Sequence, residues 1–174
     1  MSLYDNVVPT YIQFITSLKR IVMIAESARL GGNSKMTNIL DARLAPDMMP
    51  LSFQINSVAV HSLGALKAIV SGEFDPQYSA TFKDLSDVAS YLNELRAEIA
   101  SLDRASIDAA ANAIVVIQTH GLDLSFPGAD FLTSFEQPNF FFHVVTAYAI
   151  FRTNGLAIGK FDYLGRLRSM PKPS

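Results

Sequence analysis

The fold turns on the reading of Pro138-Asn139-Phe140-Phe141-Phe142-His143-Val144-Val145-Thr146-Ala147-Tyr148-Ala149-Ile150-Phe151-Arg152-Thr153-Asn154-Gly155. From Phe140 to Phe151 only His143, Thr146 and Tyr148 carry polar side-chain atoms. A helix that is apolar nearly all round belongs in the interior, so this stretch is predicted to form the central helix of a helical core over 139–154. Pro138 and Gly155 supply its start and stop. Asn139 and His143 lie four residues apart, which places them on one helical face.

Working outward, three further helices are expected. Val8, Tyr11, Ile15, Leu18, Val22 and Ala25 recur at spacings of three and four, the apolar stripe of a helix over 4–29. Pro9 is expected in its first turn, and Gly31-Gly32-Asn33 end it. Asp47 is a candidate N-cap for a second helix over 48–71, with Pro50 in the first turn. Two columns run along that helix. Leu51, Ile55, Val58, Ser62, Ala65 and Ile69 are mostly apolar, whereas Gln54, Ser57, His61, Gly64 and Ala68 pass from polar to small. The Gly72–Ser79 break follows, and Thr81 with Asp84 resembles a capping pair. Leu85, Val88, Leu92, Leu95, Ile99 and Leu102 then mark a third helix over 81–102.

Between this helix and the central one the pattern changes. Ile114-Val115-Val116-Ile117 is short and β-branched, hence a strand, and Leu122–Phe126 returns beside it after a Thr119-His120-Gly121 turn. His120 is expected on the surface there. A short helix is predicted over Ala129–Phe135, and the tail beyond the central helix reads as irregular. Its basic residues Arg166, Arg168 and Lys172, set among Pro171 and Pro173, read as a solvated end.

Composition narrows the class. The 174 residues fit a single domain over 1–174, and 49% hydrophobic with 17% charged residues describes a compact chain with a full core. A net charge of −2 argues against nucleic-acid binding, which needs a basic footprint. The absence of cysteine excludes disulfides and thiolate chemistry and suits a reducing cytoplasm. The N-terminus lacks a signal-peptide pattern, and no run approaches the roughly 18 uninterrupted apolar residues of a membrane span. The expectation is a cytoplasmic protein with no membrane or nucleic-acid partner. No nucleophile elbow, Walker phosphate loop or dinucleotide fingerprint occurs, and no spacing singles out a pair of catalytic carboxylates.

Three motifs together resemble one family. They are Pro138–His143 with Thr146–Ile150 and Asn154-Gly155, Arg43-Leu44-Ala45-Pro46-Asp47-Met48, and Gly159-Lys160 with Asp162-Tyr163-Leu164-Gly165. The chain resembles the DinB-like superfamily, in a bacterial branch of unknown function. That resemblance implies an all-α four-helix bundle, here with a small β-hairpin and short helix between helices three and four, and a homodimer as a plausible assembly. It also implies a divalent metal, zinc or nickel, held by three histidines: one from helix two and two from helix four, spaced by four. Residue by residue, His61 falls on the first position and His143 on the last, while Asn139 stands where the remaining histidine is expected. An amide oxygen is a poorer donor to these metals than imidazole.

Two functions follow. One is metal-dependent hydrolysis or thiol-dependent group transfer on a small molecule, with His61, Asn139 and His143 as ligands. The other is a metal-free small-ligand-binding or interaction protein that kept the bundle and lost the ligand set. In either, Gln54, Ser57, Thr146 and Tyr148 are candidates for lining the pocket or orienting the histidines. Arg43, Asp47, Lys160 and Asp162 are read as a cap and braces between tail and core.

Overall fold

A computed structural model describes residues 2–119 and 121–169. His120, Lys172, Pro171 and Pro173 lie outside the described residues, so the expectations for them stay where the sequence left them.

The chain is mostly helical with one small sheet. Helix α1 spans Leu3–Leu30, and Ser2 caps it by accepting from the Asp5 amide. Pro9 therefore sits inside the helix and not in its first turn. Helix α2 covers 51–71 without a break: Leu51–Ala59, a π-helical turn Val60–Gly64, and Ala65–Ser71. It begins later than the sequence suggested. Pro50, and not Asp47, takes the N-cap place, and the Leu51 amide is satisfied by Ala42 O at 2.9 Å. Helix α3 spans Leu85–Ser101; Asp84 is its N-cap, accepting from the Asp87 amide, so the Thr81–Asp84 pair does not act as a capping box. The short helix α4 (Arg104–Ala109) follows, capped by Asp103.

The hairpin expectation holds, with an addition. Strands β2 (Ile114–Thr119) and β3 (Leu122–Pro127) pair antiparallel, and a two-residue strand β1 (Glu73–Phe74) joins β2 in parallel. Phe74 is thereby held over the middle of α2, opposite Gly64.

Helix α5 covers 128–153 as Gly128–Asp130, a π-helical segment Phe131–Glu136, and Gln137–Thr153. The predicted short helix and central helix are thus one continuous element. Pro138 has no N–H for the carbonyl four residues back, and the chain meets this with a widened turn just before it, not by ending the helix. The start of α5 is wedged against the end of α4: a Cβ on Gly128 would lie 2.3 Å from Ala110 O.

Helix α1 packs along α3, and α2 along α5. The core between them includes Val8, Tyr11, Ile15, Leu18 and Val22 of α1, Ile55 and Val58 of α2, and Phe140, Val144, Ala147 and Phe151 of α5. By length and composition alone α1 could cross a membrane, with mean hydropathy 1.2 over 18 residues, but half of that window is buried inside the protein. The tail is not irregular. Lys160–Leu164 forms a last short helix, α6, which lies on α1. Tyr163 packs against Phe14 and Tyr148, Gln13 donates to Leu164 O at 2.8 Å, and the Ser17 hydroxyl meets the carbonyls of Asp162 and Tyr163.

Candidate paired-histidine site

The polar column of α2 meets the face of α5 that carries His143. The rings of His61 and His143 stack with centroids 5.2 Å apart and planes only 9° from parallel. His61 sits inside the π-helical turn of α2, where the extra residue per turn shifts the side-chain register of the helix. Its Nδ1 lies 2.8 Å from Glu136 Oε2, and Glu136 is the last residue of the π-helical segment of α5. Both partners are therefore set by departures from α-helical geometry.

His143 has its own orienting group. Gln54 donates through Nε2 to Met49 O at 2.9 Å, which fixes the amide so that Oε1 faces Nδ1 of His143 at 2.7 Å. An amide oxygen only accepts, so Nδ1 of His143 carries the proton and Nε2 is left as an acceptor. Burial first, and the neighbouring His61 second, hold the His143 imidazolium well below its ordinary 6.5, at about 4, so the ring is neutral near pH 7.

Glu136 is the residue that the sequence reading missed. It is 0% exposed, and its Oε1 has no partner among the described residues. Burial raises its carboxyl above the usual range, while the hydrogen bond and charge of His61 pull it down. Tyr11, also 0% exposed, carries a second unpartnered polar atom, its hydroxyl; burial and the nearby Glu136 push that group well above its usual value. A signal for Glu136 was present: it is the sole acidic residue between Phe131 and Phe151, and it precedes His143 by seven, two helical turns on one face.

Aromatic rings form the walls. Phe53 and Phe142 meet His143 edge-on, Phe74 lies against His61, and Tyr78 stacks on Phe53 at 4.9 Å. The loop bearing Tyr78 is pinned by Asn56, which exchanges two hydrogen bonds with the backbone of Ala80.

The remaining predicted residues divide. Gln54 joins the site as described. Ser57 donates to Phe53 O one turn back, and Tyr148 faces the tail through Tyr163, so neither is directed at the histidines. Thr146 is buried on α5. Asn139 donates to Phe135 O at 2.8 Å, a bond along its own helix, and the position against His61 is taken by Glu136. Arg43 braces the turn before α2 through Met48 O, while Asp162 accepts from the Gly159 amide and pairs with Arg20 at 3.4 Å.

The family described as Domain of unknown function (DUF1993) matches residues 3–164. This chain belongs to it. A crystal structure of a DinB family member protein from Shewanella denitrificans is similar over 98% of this chain and 96% of that one, with a TM-score of 0.80 at 24% identity. The DUF1993 chain thus shares the mostly helical fold of that DinB family member. No curated protein matches it.

Whether a divalent metal suits this DUF1993 site depends on its donors. Catalytic zinc sites use three protein ligands and an open position. Among the described residues no three His, Cys, Asp or Glu side chains form a group that could hold an ion. Only two imidazoles meet here, with centroids 5.2 Å apart, and the Nδ1 of each is already hydrogen-bonded. The Nδ2 of Asn139 is engaged along its helix. As arranged, these residues do not fit a resident zinc or nickel ion.

Proposed function

We propose that this DinB-like protein binds a small organic molecule without a metal, using the Nε2 atoms of His61 and His143 as paired hydrogen-bond acceptors inside an aromatic box. The observation that carries the reading is that each Nδ1 already has a buried acceptor, Glu136 for His61 and Gln54 for His143. With Nδ1 occupied, only Nε2 on each ring is left to recognise a ligand. The ligand class is a compact molecule with two N–H or O–H donors on a flat apolar body, which Phe53 and Phe142 would flank. In this reading the four long helical stretches, α1, α2, α3 and α5, act as the four-helix bundle of the superfamily, with α2 and α5 as the site's walls.

The two histidines then have different tasks. His143, held neutral, accepts a hydrogen bond and remains an acceptor over most of the physiological range. His61 is oriented by the buried carboxyl of Glu136, 2.8 Å from its Nδ1, so its Nε2 faces the ligand in a fixed direction.

One observation favours the metal reading. Metal-bound histidines usually donate the other ring N–H to a carboxylate or carbonyl, the pattern seen at Nδ1 here. Elemental analysis of protein purified without added metal separates the two. We expect substoichiometric zinc and nickel, and unchanged thermal stability after chelation. Stoichiometric metal in the wild type that disappears in both His61→Ala and His143→Ala overturns the proposal.

A further inference from the structure

A second cavity, built from other elements, has a different chemistry. It occupies about 500 Å³ between α1, α3 and the chain just after α6. Val8, Pro9 and Ile12 of α1 supply an apolar floor. Four arginines stand in its walls: Arg20 from α1, Arg96 from α3, and Arg166 and Arg168 from the tail. Among the described residues no carboxylate lines it. In a chain of net charge −2, four of the 14 basic residues converge on one apolar groove.

Among the described residues Arg96, Arg166 and Arg168 form no ion pair with a carboxylate. Of the four, Arg20 meets one, Asp162 at 3.4 Å. Arg168 donates to the Thr10 hydroxyl at 3.0 Å, a neutral acceptor that holds the side chain across the groove without cancelling its charge. The groove is also built firmly. A Cβ on Gly165 (φ +64) would come within 3.1 Å of Ser17 Cβ, so the tail enters the groove wall in close contact with α1. Like-charged groups gathered over an apolar floor cost self-repulsion unless an anion joins them. Guanidinium forks match a carboxylate in two parallel hydrogen bonds.

We propose that this groove binds a free aliphatic carboxylate, its chain on the Val8–Ile12 floor and its head group against Arg96, Arg166 and Arg168. The tail that the sequence presented as a solvated end thus forms one wall of an anion site. The site is independent of the paired histidines, which belong to α2 and α5.

The test is calorimetric titration of the full chain with decanoate below its micelle concentration, with decanol as the uncharged match. Saturable one-to-one binding of decanoate is expected, at least tenfold weaker for decanol. The exposed double variant Arg96→Gln/Arg168→Gln should weaken decanoate at least tenfold, while Lys35→Gln/Lys83→Gln, which removes the same charge elsewhere, should not. In amide NMR spectra the largest decanoate-induced shifts should fall on residues 8–20 and Gly165. No saturable binding, equal affinity for decanol, equal loss in the two double variants, or binding to anionic phosphatidylglycerol vesicles without binding of free decanoate would each overturn the proposal. Thermal melts of both double variants report whether they remain folded, and the decanol arm decides the question without any substitution.

Discussion

At the residue scale the site depends on which atoms still have a partner. Glu136→Ala removes the acceptor of a histidine that is only 6% exposed and leaves a cavity beside it. The expected loss is about 3 kcal/mol in urea denaturation. Glu136→Gln keeps a carbonyl oxygen in place and should cost within about 1 kcal/mol. Equal losses in the two variants would show that the His61 contact contributes nothing. His143 gives the pH dependence. Its folded-state value is depressed from 6.5 to about 4, so the stability it contributes is present above pH 6.5 and lost as pH falls toward 4. Because the ring is partly exposed, the loss is on the order of 1 kcal/mol. His143→Gln should flatten that acid limb between pH 7 and 4.5. Glu136 acts with the opposite sign: its raised carboxyl favours the fold at low pH and loses that contribution as pH rises through its folded-state value. Glu136→Gln should therefore steepen the acid limb.

At the element scale the informative features are the two π-helical segments. One contains His61 and the other ends at Glu136. Each inserts a residue into a helix whose apolar pattern continues on both sides, so the apolar spacing on α2 and α5 was readable while the shift in register was not. Glu136 went unnoticed for that reason, although its spacing of seven from His143 is in plain view. The start of α5 is equally constrained. Gly128→Ala would force a Cβ into Ala110 O, so the wedge between α4 and α5 must open, at about 2 to 3 kcal/mol in a thermal or urea melt. An unchanged melt would mean that the approach of these backbones is looser than 2.3 Å between the added Cβ and that carbonyl.

At the scale of the whole molecule, the tail ties the chain's ends together. Gln13 and Ser17 of α1 hold the carbonyls at the end of α6, and Tyr163 covers Phe14 and Tyr148. Tyr163→Ala should cost about 1 to 2 kcal/mol through lost aromatic burial, measured by urea denaturation. Leu156 and Ile158, buried between α5 and α6, extend the same core, so one hydrophobic cluster runs from Val7 to Ile158. A single cooperative transition is expected, with far-UV circular dichroism and tyrosine fluorescence changing together. Separate transitions would contradict one folding unit over 1–174.

The helical class and the hairpin were legible in the sequence, because side-chain periodicity is a local property that burial imposes on each element in turn, whereas the pairing of His61 with His143 was implied by the DinB-like resemblance. Pro50 as a helix start, the third strand and the α6 brace were not, since they depend on partners outside each local pattern, such as Ala42 O, Val116 and Ser17. The metal question shows the same division. The DinB-like resemblance, carried over residue by residue, marked Asn139 as the departure from a three-histidine set. Only the tertiary structure put Glu136 behind His61, Gln54 behind His143, and the two rings in a parallel stack. Donor direction is a property of packed side chains, and no spacing within one helix can specify it.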